Sequence, residues 1–407
     1  MKPLTVCSLA LLLTSAASAA VIKVPQDHAT ISLAVAAASA GDTILVKSGV
    51  YEENVTIGAG LIGLKIQGLG QVIVDARPSG STGTGPGIEI QADNVTLQNL
   101  MIRHAKGVNP HGVRSSSPGT VLNGVRVQHA DGAGIAVFGD DAFLNKCEVV
   151  DSGGGITIAG NGAEVVKALV HRDSADGITI TGDDAKVTKC TVRAVEGPGI
   201  TVVGANATIQ TNEVRRVVDA VVLSGTGGLI TKNIVDACSG TGISIGNAAA
   251  GSIAKNSVTD MRQACLLVES NATGLTIDKN DLRRTGSNYA AAVIMEGDGN
   301  TMTNTLVRQC AGDGILVSGD NNTFFKVTSS EHGEDGIQFT GAGNSADKCV
   351  FRKNQGEGAQ CDGANNALTK SIAKLNRIDV AASVPFATFN LNAFTTGGNA
   401  TAPEIDD

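Results

Sequence analysis

Tryptophan is absent from this chain, and aromatic side chains make up only 3% of its 407 residues. The apolar residues, 42% of the total, are mostly small or β-branched, and the chain holds 51 glycines. That mixture suits a narrow core. Long apolar runs are also missing apart from Leu4 to Leu13, which is too short to cross a bilayer, so no membrane span is expected. No CxxC pair occurs, which removes the usual thiolate metal sites. Cations are outnumbered, with 31 Lys and Arg against 39 Asp and Glu. The net charge of −8 and the scarcity of aromatics exclude nucleic acid as the expected partner.

What is present begins with Lys2, the apolar run and "TSAASAA", the signature of a secretory signal over residues 1–20. Secretion to the periplasm, the cell surface or the medium is therefore expected. Beyond the signal lie Cys147, Cys190, Cys238, Cys265, Cys310, Cys349 and Cys361. An odd number argues against a closed disulfide framework, and free thiols are expected.

"DGITITGDDAKVTKCTV" at 176–192 sets Asp183 beside Asp184, a candidate carboxylate pair. However, "AGIAVFGDDAFLNKCEV" at 133–149 and "DGILVSGDNNTFFKVTS" at 313–329 repeat the pattern. A small residue before an apolar one anchors each copy, from Gly87 through Gly134, Gly155, Gly177 and Gly199 to Gly358, at intervals of about 22 residues. One longer interval, Ala264 to Ala292, predicts a protruding loop. Apolar residues alternate within each copy, as in Ile178 and Ile180, so the copies are strands with one buried face. The glycine five places after the anchor, such as Gly182, predicts a turn with positive φ. Asp140, Asp141, Asp183 and Asp184 follow that glycine and are turn residues on this reading.

Thirteen places after the anchor runs a column of Cys147, Cys190, Asn212, Asn233, Asn256, Asn280, Cys349 and Ser371, the last Asn pair slightly shifted. Stacked amides would satisfy one another there, with cysteine as a small buried substitute. Cys147 and Cys190 lie two coils apart, about 9 to 10 Å, beyond disulfide reach.

The pattern of DGI, glycine with Asp or Asn, valine and a closing Asn or Cys resembles the right-handed parallel β-helix family of pectate-lyase-like proteins, from Gly87 to about Lys374. The resemblance implies an all-β solenoid and an asparagine ladder, but no single activity. "VPQDHATISLAVAAASAGDTILVKSGVYEENVT" at 24–56 resembles the N-terminal cap of such helices, with Ile31, Val35 and Ala38 closing the core. "GVYEEN" is similar to a pectin methylesterase motif, yet that family's QDTL, DFIFG and LGRPW segments are absent, so esterase activity is not implied. The expected organisation is a signal at 1–20, a cap with a helix at 21–60, a β-helix at 61–378 and a C-terminal tail at 379–407.

In similar proteins the substrate lies along the strand that starts at each anchor. Here its outward residues, among them Ala136, Thr157, Thr179, Thr201 and Val222, are chemically bare. Chemistry concentrates in the N-terminal third, where His111, Arg114, His129 and Asp131 are candidate catalytic residues, combining possible bases, an acid and a carboxylate-binding arginine. His104 and His129 share one offset and should stack. "Asn109-Pro110-His111" resembles the Asp-Pro-His motif of alginate C5-epimerases, with Asn for Asp and no nearby tyrosine.

Arg103, His104, Arg172 and Arg193 are candidate substrate-binding residues. Arg103, Arg172 and Arg193 belong to a basic row continued by Arg215, Arg283, Arg308, Arg352 and Lys374, a match for a repeating polyanion or else ordinary surface charge. Asp313, Asp335 and Glu357 each precede an anchor in consecutive coils, a stack that would need a cation such as Ca²⁺ or would simply face solvent. No other cofactor is expected.

Two functions stay open. One is a secreted, monomeric protein that binds, and as a lyase or epimerase acts on, an acidic polysaccharide. The other is a cell-surface structural or adhesive solenoid without an active site. Periplasmic copper-site maturation β-helices fit less well, since methionines are few and no Met/His cluster occurs.

Overall fold

The computed structural model describes residues 19–77, 85–107, 109–286, 290–384 and 387–394. Segment 1–18, which holds most of the expected signal, and Tyr289 lie outside the described residues. No described helix is long and apolar enough to cross a membrane.

Each coil contributes three short strands, for example Ile178–Thr181, Lys186–Thr188 and Thr191–Arg193. Period-2 alternation turns Ile178, Ile180, Val187 and Val192 inward, where all are fully buried. The first strand of each coil stacks into a 15-stranded sheet, and the other two share a 29-stranded sheet. All pairings between the named strands are parallel, with Ile178 beside Ile156 and Ile200 in register. Like residues therefore stack in columns about 4.8 Å apart. The interior is one continuous cluster in which Phe324, Phe339 and Phe351 are the largest fully buried side chains. The chain is the expected right-handed, all-β solenoid.

Helix Ile31–Ala37 is capped by Thr30, whose side chain accepts the N–H of Leu33. It packs Ile31, Ala34 and Val35 onto the core, with Ala38 beside them. Glu53 holds its first turn by accepting the N–H groups of Ile31 and Ser32 at 2.8 Å each.

Two expectations are corrected and one is extended. First, the ladder extends on both sides of 61–378. Val21 already pairs with Thr43, and Phe394 with Ala373, because short alternating segments such as Ile378–Ala382 still bury an inward residue, Val380. Second, the extra residues between Ala264 and Ala292 do not all fall in one place, and 287–289 among them lie outside the described residues. They divide between the turn before Thr276 and the segment after Arg283, while Thr276–Asp278 and Asp281–Arg283 keep register with the previous coil.

Third, the repeated glycine serves close approach as well as φ. A Cβ on Gly160, Gly182, Gly204 or Gly225 would collide with the carbonyl of the same glycine one coil earlier. Gly182, Gly204 and Gly225 also have the expected positive φ, between 146° and 156°, and positive φ recurs two places later, at Asp141, Gly162, Asp184, Asn206 and Gly227.

The amide ladder forms as expected. Asn212 donates from Nδ2 to Asn233 Oδ1 at 3.0 Å, Asn233 to Asn256 at 3.0 Å and Asn256 to Asn280 at 3.0 Å. Each amide also donates to a carbonyl of the preceding coil, as Asn212 does to Val187 at 2.9 Å. The thiols of Cys147, Cys190 and Cys349 take the equivalent bond, to Leu122, Val165 and Phe324, at 3.4 to 3.5 Å. A second column serves the turn after the first strand through the backbone: the N–H groups of Asn300, Asn322 and Asn344 donate to Oδ1 of Asn322, Asn344 and Asn366, each at 2.8 Å.

Candidate functional site

The Gly-Asp-Asp turns are structural. Asp140 Oδ1 accepts the N–H of Asn161, Asn161 Oδ1 that of Asp183, and Asp183 Oδ1 that of Ala205, at 2.7 to 2.8 Å. A side-chain acceptor thus bonds the backbone one coil on, at three successive steps.

A second left-handed corner closes the third strand of every coil. Its column runs His104, His129, Asp151, Arg172, Ala194 and Arg216, with φ between 51° and 62°. The offset shared by His104 and His129 continues to Asp151 and Arg172, so four consecutive coils present ionisable side chains in one file. The His104 and His129 rings lie 5.5 Å apart between centroids. They open onto a groove of about 630 Å³ lined also by Arg77, Lys106, Asp131, Asp151 and Arg172.

Behind the groove, Asp75 orients the first imidazole. Arg103 Nε donates to Asp75 Oδ2 at 2.8 Å, and His104 Nδ1 lies 3.0 Å from Asp75 Oδ1. Burial pushes the Asp75 carboxyl up, yet the His104 and Arg103 hydrogen bonds and charges outweigh it and hold it below the usual carboxylate range. Arg77 Nη2 lies 3.2 Å from His104 Nε2. The same Arg77 Nη2 lies 2.9 Å from His104 Nδ1, so one guanidinium nitrogen spans both ring nitrogens. On the outer wall Arg172 pairs with Asp151 at 2.9 Å and Lys106 with Asp131 at 3.8 Å.

The structure divides the candidates from the sequence. His104, His129, Asp131 and Arg172 meet in the groove. Arg103 is held behind it, and Arg193 lines a smaller neighbouring cleft of about 240 Å³ with His171 and Arg216. Arg114 belongs to the other sheet, where strand Val113–Ser115 turns it outward; it pairs with Glu89 at 2.8 Å and covers the Phe138 ring. His111 precedes that strand and is not a groove-lining residue. Burial holds its imidazole below the ordinary range, against a backbone hydrogen bond with Ala133 and with help from the Arg114 charge. The four candidate catalytic residues therefore do not form one cluster. Inspection of the sequence missed Arg77, Lys106 and Asp151; the shared offset carries Asp151, whereas Arg77 and Lys106 lie in irregular segments.

The basic row is largely neutralised. His171 faces Glu148 at 3.4 Å, Arg215 bonds Glu213 at 2.9 Å, Arg284 bonds Asp260 at 2.6 Å and Arg283 pairs with Asp281. Exposed pairs of this kind contribute little to stability, but they cancel the field that a polyanion would follow.

Asp313 and Asp335 bond the backbone of the next coil. Asp313 Oδ1 accepts the N–H of Asp335 at 2.8 Å, and Asp335 Oδ1 that of Glu357 at 2.6 Å, so the stack serves the backbone. Among the described residues no three His, Cys, Asp or Glu side chains converge as metal ligands. Burial pushes the Asp313 carboxyl up to about 6. Burial, then sharing of a proton with Glu357, drives Asp335 in the same direction.

No curated protein matches the chain. Solved structures similar to it include the periplasmic alginate epimerase AlgG, at 11% identity over 74% of each chain with a TM-score of 0.47. DFA-IIIase from Arthrobacter chlorophenolicus A6 is similar at 14% identity, over 71% of this chain and 84% of that one, with a TM-score of 0.47. The A-module of the Azotobacter vinelandii mannuronan C-5 epimerase AlgE4 shares 13% identity over 90% and 93%, with a TM-score of 0.38. At these identities the likeness is one of fold. The family described as "right handed beta helix region" matches residues 111–258 and 241–395. Together with the stacked parallel coils, that match makes the chain a member of the right-handed beta helix family.

Proposed function

We propose that this protein binds an acidic polysaccharide across the corner groove of its N-terminal third. The observation that carries the reading is the imidazole pair of His104 and His129, 5.5 Å apart and flanked by Arg77, Lys106 and Arg172. Guanidinium and ammonium groups suit sugar carboxylates. Arg172 and Lys106 are engaged by Asp151 and Asp131 in the free protein, so a uronate carboxylate would exchange for a protein carboxylate rather than meet bare charge. Imidazoles exchange protons near neutral pH. Proton abstraction beside a uronate carboxylate, by an epimerase or lyase, is therefore the reaction class this groove favours, with His129 as the base and His104 as the ring held by Asp75. The segment read as an export signal supports action outside the cytoplasm.

The ion-paired basic row favours a second reading, a structural solenoid whose charges only maintain solubility. Calorimetry with alginate, polygalacturonate and a neutral glucan separates the two. Saturable binding of a polyuronate that Arg172→Ala or His129→Ala weakens supports the groove. Equal affinity for the neutral glucan, or no binding, supports the structural reading. Proton exchange from solvent into the bound polymer reports whether turnover follows.

A further inference from the structure

The corner between the second and third strands carries another column. Lys146, Lys167 and Lys189 occupy it in three consecutive coils, as the pairing of Asn145 with Val166 and Val166 with Thr188 requires. Thr211 interrupts, Lys232, Lys255 and Lys279 follow, Asn304 interrupts, and Lys326, Lys348 and Lys370 complete the file. All these lysines are exposed, and each stands about one strand spacing, 4.8 Å, from its neighbour within a run.

Two features set this column apart from ordinary surface charge. Every member has φ between 48° and 59°, the left-handed conformation that Asn and Gly adopt more readily than Lys. Asn99, Gly124 and Asn304 hold the same corner, so the fold itself does not ask for lysine. The column is also thinly neutralised, unlike the Arg row. Of Lys146, Lys167, Lys189, Lys232, Lys255, Lys279, Lys326 and Lys348, only Lys279 with Asp278 at 3.1 Å and Lys348 with Asp347 at 3.8 Å make a described ion pair. Lys326 and Lys348 lie over the Phe325 ring, at 5.1 and 4.9 Å from its centroid.

We infer that this lysine file is a second binding surface, a track along which a linear acidic polysaccharide lies parallel to the solenoid axis. The inference shares the ligand class of the groove reading but rests on a different corner, across the width of the third strand. Lysine is a compact charge on a flexible stem, without the fixed fork of arginine. A file of such charges attracts a polymer with one carboxylate or sulfate per sugar without fixing its register. It holds and concentrates the polymer, while the groove next to it handles individual sugars. Single-stranded nucleic acid is disfavoured because the column offers one aromatic ring, Phe325, where base stacking needs a platform.

The test uses the full secreted chain and polygalacturonate, at several NaCl concentrations. Lys146, Lys167, Lys189, Lys232 and Lys255 are replaced together by Asn, the residue that two other coils accept at this corner, so the fold is retained. Affinity for the polymer at low salt should fall roughly tenfold or more and its salt dependence should flatten, since fewer cations engage the chain. A trimeric uronate, too short for the track, should bind the variant as it binds the parent. Unchanged polymer affinity and salt slope would overturn the inference and leave the groove reading intact. An effect of Arg172→Ala on the trimer alone assigns that binding to the groove. If the parent fails to bind polygalacturonate both readings fall, and tighter binding of oligothymidylate would reassign the track to nucleic acid.

Discussion

Asp183 illustrates how a repeat changes the meaning of a residue. Beside Asp184 it has the look of an acid and base pair, yet its carboxylate accepts the N–H of Ala205 at 2.7 Å. Asp183→Asn keeps an oxygen acceptor there and should leave glycan binding unchanged, while Asp183→Ala should cost about 1 kcal/mol in urea unfolding. The cysteines follow the same logic. All seven described thiols are free and buried, and burial pushes Cys147 and Cys349 up to about 12. Iodoacetamide should label none of them in the folded protein and all of them after denaturation, as read by mass spectrometry. Recovery of intact intramolecular bridges would refute this.

Asp313 carries a pH dependence of its own. Its folded carboxyl titrates near 6 against 3.8 for the unreacted side chain, so the folded state binds the extra proton. Stability from this group is present below pH 4 and lost as pH rises through 6. Thermal midpoints of parent and Asp313→Asn should coincide at pH 4, and the variant should melt higher at pH 7.5. A parent that gains on the variant as pH rises would contradict the assignment.

Among elements, the coils were legible because their signals repeat. Alternation fixed the inward residues, the interval fixed the stacking, and Asn212, Asn233 and Asn256 marked the tight corner in advance. What failed was local physics that spacing does not encode. The recurring glycine was read only as a φ requirement, which Gly182, Gly204 and Gly225 meet, but its missing Cβ also makes room for the carbonyl of the coil before. Gly160→Ala tests the distinction, because Gly160 needs no positive φ but would meet the Gly139 carbonyl. The substitution should lower stability by roughly 1 to 3 kcal/mol, in the range of overpacking. A neutral effect in urea unfolding would show that the coils can part cheaply.

Across the whole molecule, the site was legible only where it obeyed the repeat. His104, His129 and Arg172 lie in one column, and the sequence placed the first two together. His111 and Arg114 are close to them in number, but the chain carries them onto the other sheet, so proximity in sequence misled. Arg77 and Lys106 enter from irregular segments that no offset predicts. The groove is the central functional claim, and imidazole NMR of the histidine-labelled protein during titration with a short oligouronate tests it most directly. The resonances of His104 and His129 should shift together and saturate, those of the buried His332 should stay fixed, and Arg172→Ala should weaken the titration. Saturable binding that leaves His104 and His129 unmoved, or that Arg172→Ala leaves unchanged, would contradict the account.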